Sequence, residues 1–137
     1  MQPTQRTRIA AYAVIVDDER ILLCRISAAL PNLAGRWTLP GGGLDFGEEP
    51  AAGMIREVQE ETGLVVEPGE VAHVDSFVRN HDDRVTHHVR IIYRARFTGG
   101  ELRHEVAGTT DRCEWWSKTA LPNCANLAEI GCRLAFG

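Results

Sequence analysis

No stretch of the chain approaches the roughly 18 consecutive apolar residues that a membrane-crossing helix needs. Residues 1–8 lack the apolar centre of a secretory signal, so the expected compartment is the cytoplasm. The four cysteines, Cys24, Cys113, Cys124 and Cys132, form no C-x-x-C pair. That argues against a zinc knuckle and favours core or surface thiols in a reducing compartment over a redox role. Basic residues are also short: 15 Lys and Arg stand against 19 Asp and Glu, for a net charge of −4. A duplex nucleic acid calls for a basic face and is disfavoured as partner. A nucleotide whose phosphates arrive with a metal is not. There is no repeat, low-complexity tract or linker, so residues 1–137 read as a single domain large enough for a real core.

What is present is a set of strands around one acidic helix. Residues 8–16 are almost continuously apolar and β-branched, which suits a central strand covered on both faces. Asp17, Asp18 and Glu19 make a polar turn, and residues 20–27 form a second strand in a hairpin with the first. Trp37 to Leu39 is a short extended piece, since Pro40 biases Leu39 towards β. Strands are further expected at 71–80, 85–97 and 113–117. In 85–97, Val89, Ile91, Tyr93, Ala95 and Phe97 share one face, with Arg90, Arg94 and Arg96 on the other. Leu127, Ile130 and Leu134 give a closing amphipathic helix. The order suggests a mixed sheet covered by helices.

Residues 42–64 carry the chemistry. A helix is expected from about 49 to 62, with Pro50 tolerated in its first turn and Gly63 as its stop. Ala51, Met54, Ile55 and Val58 form its apolar stripe. Glu57, Glu60 and Glu61 recur at helical neighbour spacing, where like charges destabilise a helix. Their expected projection to one side suits a hard cation such as Mg²⁺, with Mn²⁺ as substitute. Such a cation could bridge phosphate oxygens and activate a water. The alternative is a solvated acidic face. Just upstream, Gly41, Gly42 and Gly43 allow close approach to the main chain, or simply a tight turn. Arg56 points about 100° from Glu57 on the helix; it is expected to pair with Glu48 or Glu60.

This stretch resembles the Nudix box of the MutT-like hydrolases. That pattern is Gly, five residues, Glu, seven residues, then Arg-Glu-aliphatic-any-Glu-Glu-any-Gly-aliphatic. Gly42, Glu48, Arg56, Glu57, Val58, Glu60, Glu61, Gly63 and Leu64 match it with no departure. The resemblance implies an α/β fold, the Nudix α/β/α sandwich with a mixed β-sheet between helices. It implies hydrolysis of the pyrophosphate linkage of a nucleoside diphosphate derivative with Mg²⁺ or Mn²⁺. Glu57, Glu60 and Glu61 take the metal-ligand and catalytic positions. Glu48 and Arg56 take supporting positions, and a carbonyl of Gly41 or Gly42 is a candidate for the metal shell. A further glutamate outside the box is common, and here Glu101, Glu105 and Glu114 are candidates, Glu105 first.

Arg25, Arg36 and Trp37 are candidates to bind substrate, the arginines through phosphates, with a solvated surface charge as their alternative, and the tryptophan by stacking on a base. One of His87 and His88 is expected to face the sheet's concave side. One of Trp115 and Trp116 is expected in the core, the other partly exposed. Residues 78–82, Val-Arg-Asn-His-Asp, carry neither the proline typical of ADP-ribose members nor the tyrosine of dinucleoside polyphosphate members. A nucleoside triphosphate pyrophosphohydrolase, or an untyped member, remains. The competing class is a non-catalytic nucleotide-sensing or partner-binding domain. The family's members are often homodimers.

Overall fold

The structure is a computed structural model and describes residues 2–104 and 108–137. The central strand β1 runs over Thr4–Asp17, four residues earlier than its apolar core begins. It is followed by β2 (Arg20–Ile26), β3 (Trp37–Thr38) and β4 (Gly41–Gly43). Helix α1 spans Pro50–Thr62, then come β5 (Leu64–Asn80), β6 (Arg84–Gly100), β7 (Thr110–Ser117) and helix α2 (Asn126–Phe136). The sheet order is β3-β2-β1-β6-β5, with β4 on β1 and β7 on β2. β1 and β6 are parallel over twelve register pairs, from Thr4↔Arg84 to Ile15↔Ala95. The sheet is therefore mixed.

The β1–β2 hairpin is much shorter than its apolar runs suggest. Asp18 and Glu19 both have positive φ, the backbone a two-residue hairpin turn requires. Pairing then covers only Val16↔Ile21 and Asp17↔Arg20 before the strands part. β1 continues against β6 and β4, whereas β2 continues against β7. The two strands diverge because each finds a longer partner elsewhere in the chain.

Alternation along β1 divides the core. Ala11, Ala13 and Ile15 face α1 and pack with Met54 and Val58. Val14, on the other face, packs with Ile92, Leu39 and the Leu127 and Ile130 side of α2. One helix thus covers each face, the α/β/α sandwich. Met54, Val58, Leu39 and Ile92 are all fully buried. Each such side chain contributes about 1.5–3 kcal/mol by leaving water. Among the described residues, no helix is long and apolar enough to cross a membrane.

Gly63 ends α1 in the left-handed region, φ 79°, with its N–H donating to the Gln59 carbonyl. A Cβ there would also strike the Glu101 carbonyl oxygen. Gly63→Ala should therefore cost at least about 1 kcal/mol, read as a lower midpoint in urea unfolding.

Candidate active site

The acidic edge of α1 meets the glycine strand. Glu61 is only 4% exposed. Its Oε1 accepts the Gly41 N–H at 2.6 Å and its Oε2 accepts the Thr110 hydroxyl at 2.9 Å. The Cys113 thiol also donates to the Glu61 carbonyl, at 3.3 Å. Gly42 lies against Glu57: a Cβ on it would sit 2.8 Å from Glu57 Oε2. A Cβ on Gly43 would sit 3.2 Å from a guanidinium nitrogen of Arg8. Gly41 itself presses on β1, where a side chain would strike the Ala11 carbonyl oxygen and Tyr12. The three glycines thus admit, in turn, a strand, a carboxylate and a cation.

Arg56 gathers the remaining carboxylates. It holds Glu48 through two bonds, Nε to Oε2 at 2.8 Å and Nη2 to Oε1 at 2.9 Å. Its Nη1 donates to Glu57 at 3.0 Å and to Glu60 at 3.3 Å, and Nη2 reaches the Gly43 carbonyl at 3.2 Å. The long side chain bends back to Glu57 although their Cα–Cβ bonds diverge on the helix. Glu48 also accepts the Asp45 N–H at 2.9 Å. The Arg56 guanidinium, then that N–H, hold the Glu48 carboxyl down at about 2, from an ordinary 4.5. The same carboxylates, Glu48 first, raise the Arg56 pKa.

Glu57 and Glu61 open onto a cavity of about 580 Å³. Its floor is β4, and Asn126 and Leu127 of α2 close one side. Arg6 and Arg8 of β1, Phe77 and Arg79 of β5, and Thr86, His88 and Arg90 of β6 face it. A basic wall therefore stands across from two carboxylates, a charge pattern that accepts a phosphate ester together with a cation.

The NUDIX domain profile matches residues 6–132. The chain belongs to the NUDIX family. Human 8-oxo-dGDP phosphatase NUDT18 is 30% identical over 93% of this chain and 39% of its own length. A MutT-like protein of Streptomyces ambofaciens is 34% identical over 72% of this chain and 57% of its own. The chain thus spans less than two thirds of these curated relatives. Among solved structures, a MutT NUDIX hydrolase from Burkholderia pseudomallei superposes with a TM-score of 0.79 at 29% identity, covering 94% of this chain and 98% of that one.

Within this NUDIX site the glutamates expected together divide. Glu57 and Glu61 face the cavity, while the Glu60 side chain is 52% exposed and turned to Arg56. Positions 60 and 61 are adjacent and so point about 100° apart on a helix. Among the described residues, no group of three or more His, Cys, Asp or Glu side chains is arranged to hold a metal. The oxygen-only pair Glu57 and Glu61 still fits a Mg²⁺-type ion, which takes one or two carboxylates and fills its shell with water and substrate phosphate.

The three expected substrate residues lie elsewhere. Trp37 is 8% exposed and packs edge-on against Trp116, centroids 5.0 Å apart, so its ring is core. Arg25 pairs with Asp111 at 2.8 Å and does not line the cavity. Arg36 is exposed, also outside the lining. Trp115 and Trp116 are both half-buried on opposite faces, against Phe97 and Trp37 respectively. Of the loop glutamates, Glu101 is exposed and Glu114 bonds Arg112. Glu105 lies outside the described residues. His88 does face the cavity, whereas His87 is exposed.

Sequence reading missed Thr110, Arg6, Arg8, Phe77 and Arg79. Period-two alternation was the available signal for Arg8, Phe77 and Arg79, which lie in expected strands; Arg6 falls within residues 4–7, which are polar and do not read as the start of a strand.

Glu48 has a lowered pKa, so its pairing stabilises the fold above about 4.5 and that contribution is lost as pH falls towards about 2. Glu48→Gln should destabilise the protein at pH 7, and the gap to wild type should close on acidification across that window, read by urea unfolding at each pH. Gly42→Ala should leave thermal unfolding within a few degrees of wild type while displacing Glu57, read as weakened divalent-metal binding in a calorimetric titration.

Proposed function

We propose that this NUDIX chain is a Mg²⁺- or Mn²⁺-dependent pyrophosphohydrolase that cleaves the pyrophosphate linkage of a nucleoside diphosphate derivative. Nucleoside triphosphates, canonical or oxidised, are among the derivatives of this class to be assayed. The observation that carries this is the juxtaposition of Glu57 and Glu61 with the Arg8 guanidinium across the bare main chain of Gly42 and Gly43. The mouse and human relatives bear the name 8-oxo-dGDP phosphatase, which supports putting oxidised guanine nucleotides at the head of the panel.

Glu57 and Glu61 would hold the cation, with Glu60 at its rim. Bound there, a divalent ion supplies charge stabilisation at phosphate oxygens and a more acidic water. The chain's own part is positioning. Arg56 restrains Glu57 and Glu60 through Nη1, and Glu48 fixes Arg56 in return. Arg8 meets phosphate oxygens beside Gly43. Glu61 keeps its orientation through Gly41 and Thr110. Glu105 remains the proposed base from outside the box.

Glu57→Gln should lower kcat/KM by about 10²-fold or more with unfolding little changed, and EDTA should abolish turnover of the wild type. Full activity in Glu57→Gln would sink the assignment. The binding-only reading draws on the outward turn of Glu60, which leaves two carboxylates at the cavity. It is favoured if nucleotides raise the melting temperature yet no product forms with either metal.

A further inference from the structure

The basic wall extends well past the reach of the carboxylates. Gly42, which abuts Glu57, pairs with Ala11 on β1. Arg6 lies five residues further along that strand, about 16 Å at roughly 3.3 Å per residue. At that level Thr86 of β6 pairs with Arg6 on one side and Arg79 on the other. Arg6 and Arg79 are thus about 10 Å apart at the main chain, two strand spacings. Arg84, two residues before Thr86, completes a triangle on the same cavity. A pyrophosphate engaged beside Glu57 is far shorter than this separation.

These cations are held but not neutralised. Arg6 donates to the Thr86 hydroxyl at 3.3 Å. The Arg79 guanidinium lies 5.5 Å from the Phe77 ring centre, and Phe77 in turn stacks on His88 at 4.8 Å. Arg90, by contrast, is bound to Asp75 at 2.8 Å. Among the described residues, Arg6, Arg8, Arg79 and Arg84 take part in no ion pair with a carboxylate. His88 registers the resulting field: burial first, then Arg8, Arg79 and Arg6, push its pKa down. Three arginines that line one end of the cavity and bond no carboxylate among the described residues suit a dianion, because guanidinium forks match phosphate oxygens.

We infer that the far end of the cavity, at Arg6, Arg79 and Arg84, binds a second phosphate of the substrate, remote from the pyrophosphate that is cut. The substrate class is then a nucleotide phosphorylated on its ribose or continued by a phosphodiester. The inference rests on the pyrophosphohydrolase reading for the place of the first phosphates.

Calorimetric titration of the intact protein with adenosine 3′,5′-bisphosphate against adenosine 5′-monophosphate tests it without any turnover. The bisphosphate should bind about tenfold more tightly or better. That preference should collapse towards one in the Arg6→Gln/Arg84→Gln variant and return in part in Arg6→Lys/Arg84→Lys. The dinucleotide pApA separates the sources: a match to the bisphosphate indicates a phosphodiester, and a match to the monophosphate indicates a ribose monoester. In turnover, coenzyme A should show a lower KM than dephospho-coenzyme A, and NADPH than NADH. Equal binding of the bisphosphate and monophosphate, or an undiminished preference in the double Gln variant, overturns the inference. Absence of product with every substrate would instead strike the hydrolase reading and leave the binding result standing.

Discussion

The Glu61 carboxylate is the tie on which the site depends. Buried in the sheet's edge, it takes one hydrogen bond from the main chain of β4 and one from Thr110 of β7. Bonds to a charged acceptor contribute about 1.5–3 kcal/mol each, and leaving such a group unsatisfied costs more. Three elements distant in sequence are thereby fixed to one side chain. The glycine strand can lie there only because it has no side chains to displace β1, Glu57 or Arg8.

Charge is handled differently on the two sides of the cavity. On the helix side, Arg56 binds Glu48, Glu57 and Glu60, so the like charges that would weaken α1 are drawn onto one guanidinium. On the sheet side, an aromatic and a hydroxyl position arginines without cancelling them. The first arrangement stabilises the fold; the second keeps positive potential facing the cavity for an anion.

Much of the core was legible because it follows from periodicity. The α1 stripe at Met54 and Val58, the Gly63 stop and the closing stripe at Leu127 and Ile130 all lie where local spacing puts them. The mixed sheet between helices followed from element order. Errors came where partners are distant. The hairpin shortened because β7 and β6 captured its strands. Trp37 became core because Trp116, far along the chain, packs against it.

By itself, the sequence determined the family, through a spaced set of glycines and charges that only one helix and one turn can present. It also determined which glutamates lie near one another, since helical spacing is local. Tertiary structure decided which of them face the cavity: Thr110 and Gly41 hold Glu61 inward, and the way α1 lies on the sheet leaves Glu60, about 100° round the helix, exposed beside Arg56. It alone assembled the basic wall, since Arg6, Arg79 and Arg84 become neighbours only through the parallel β1–β6 and antiparallel β5–β6 registers. Register between distant strands is a collective outcome of packing, and no local pattern encodes it.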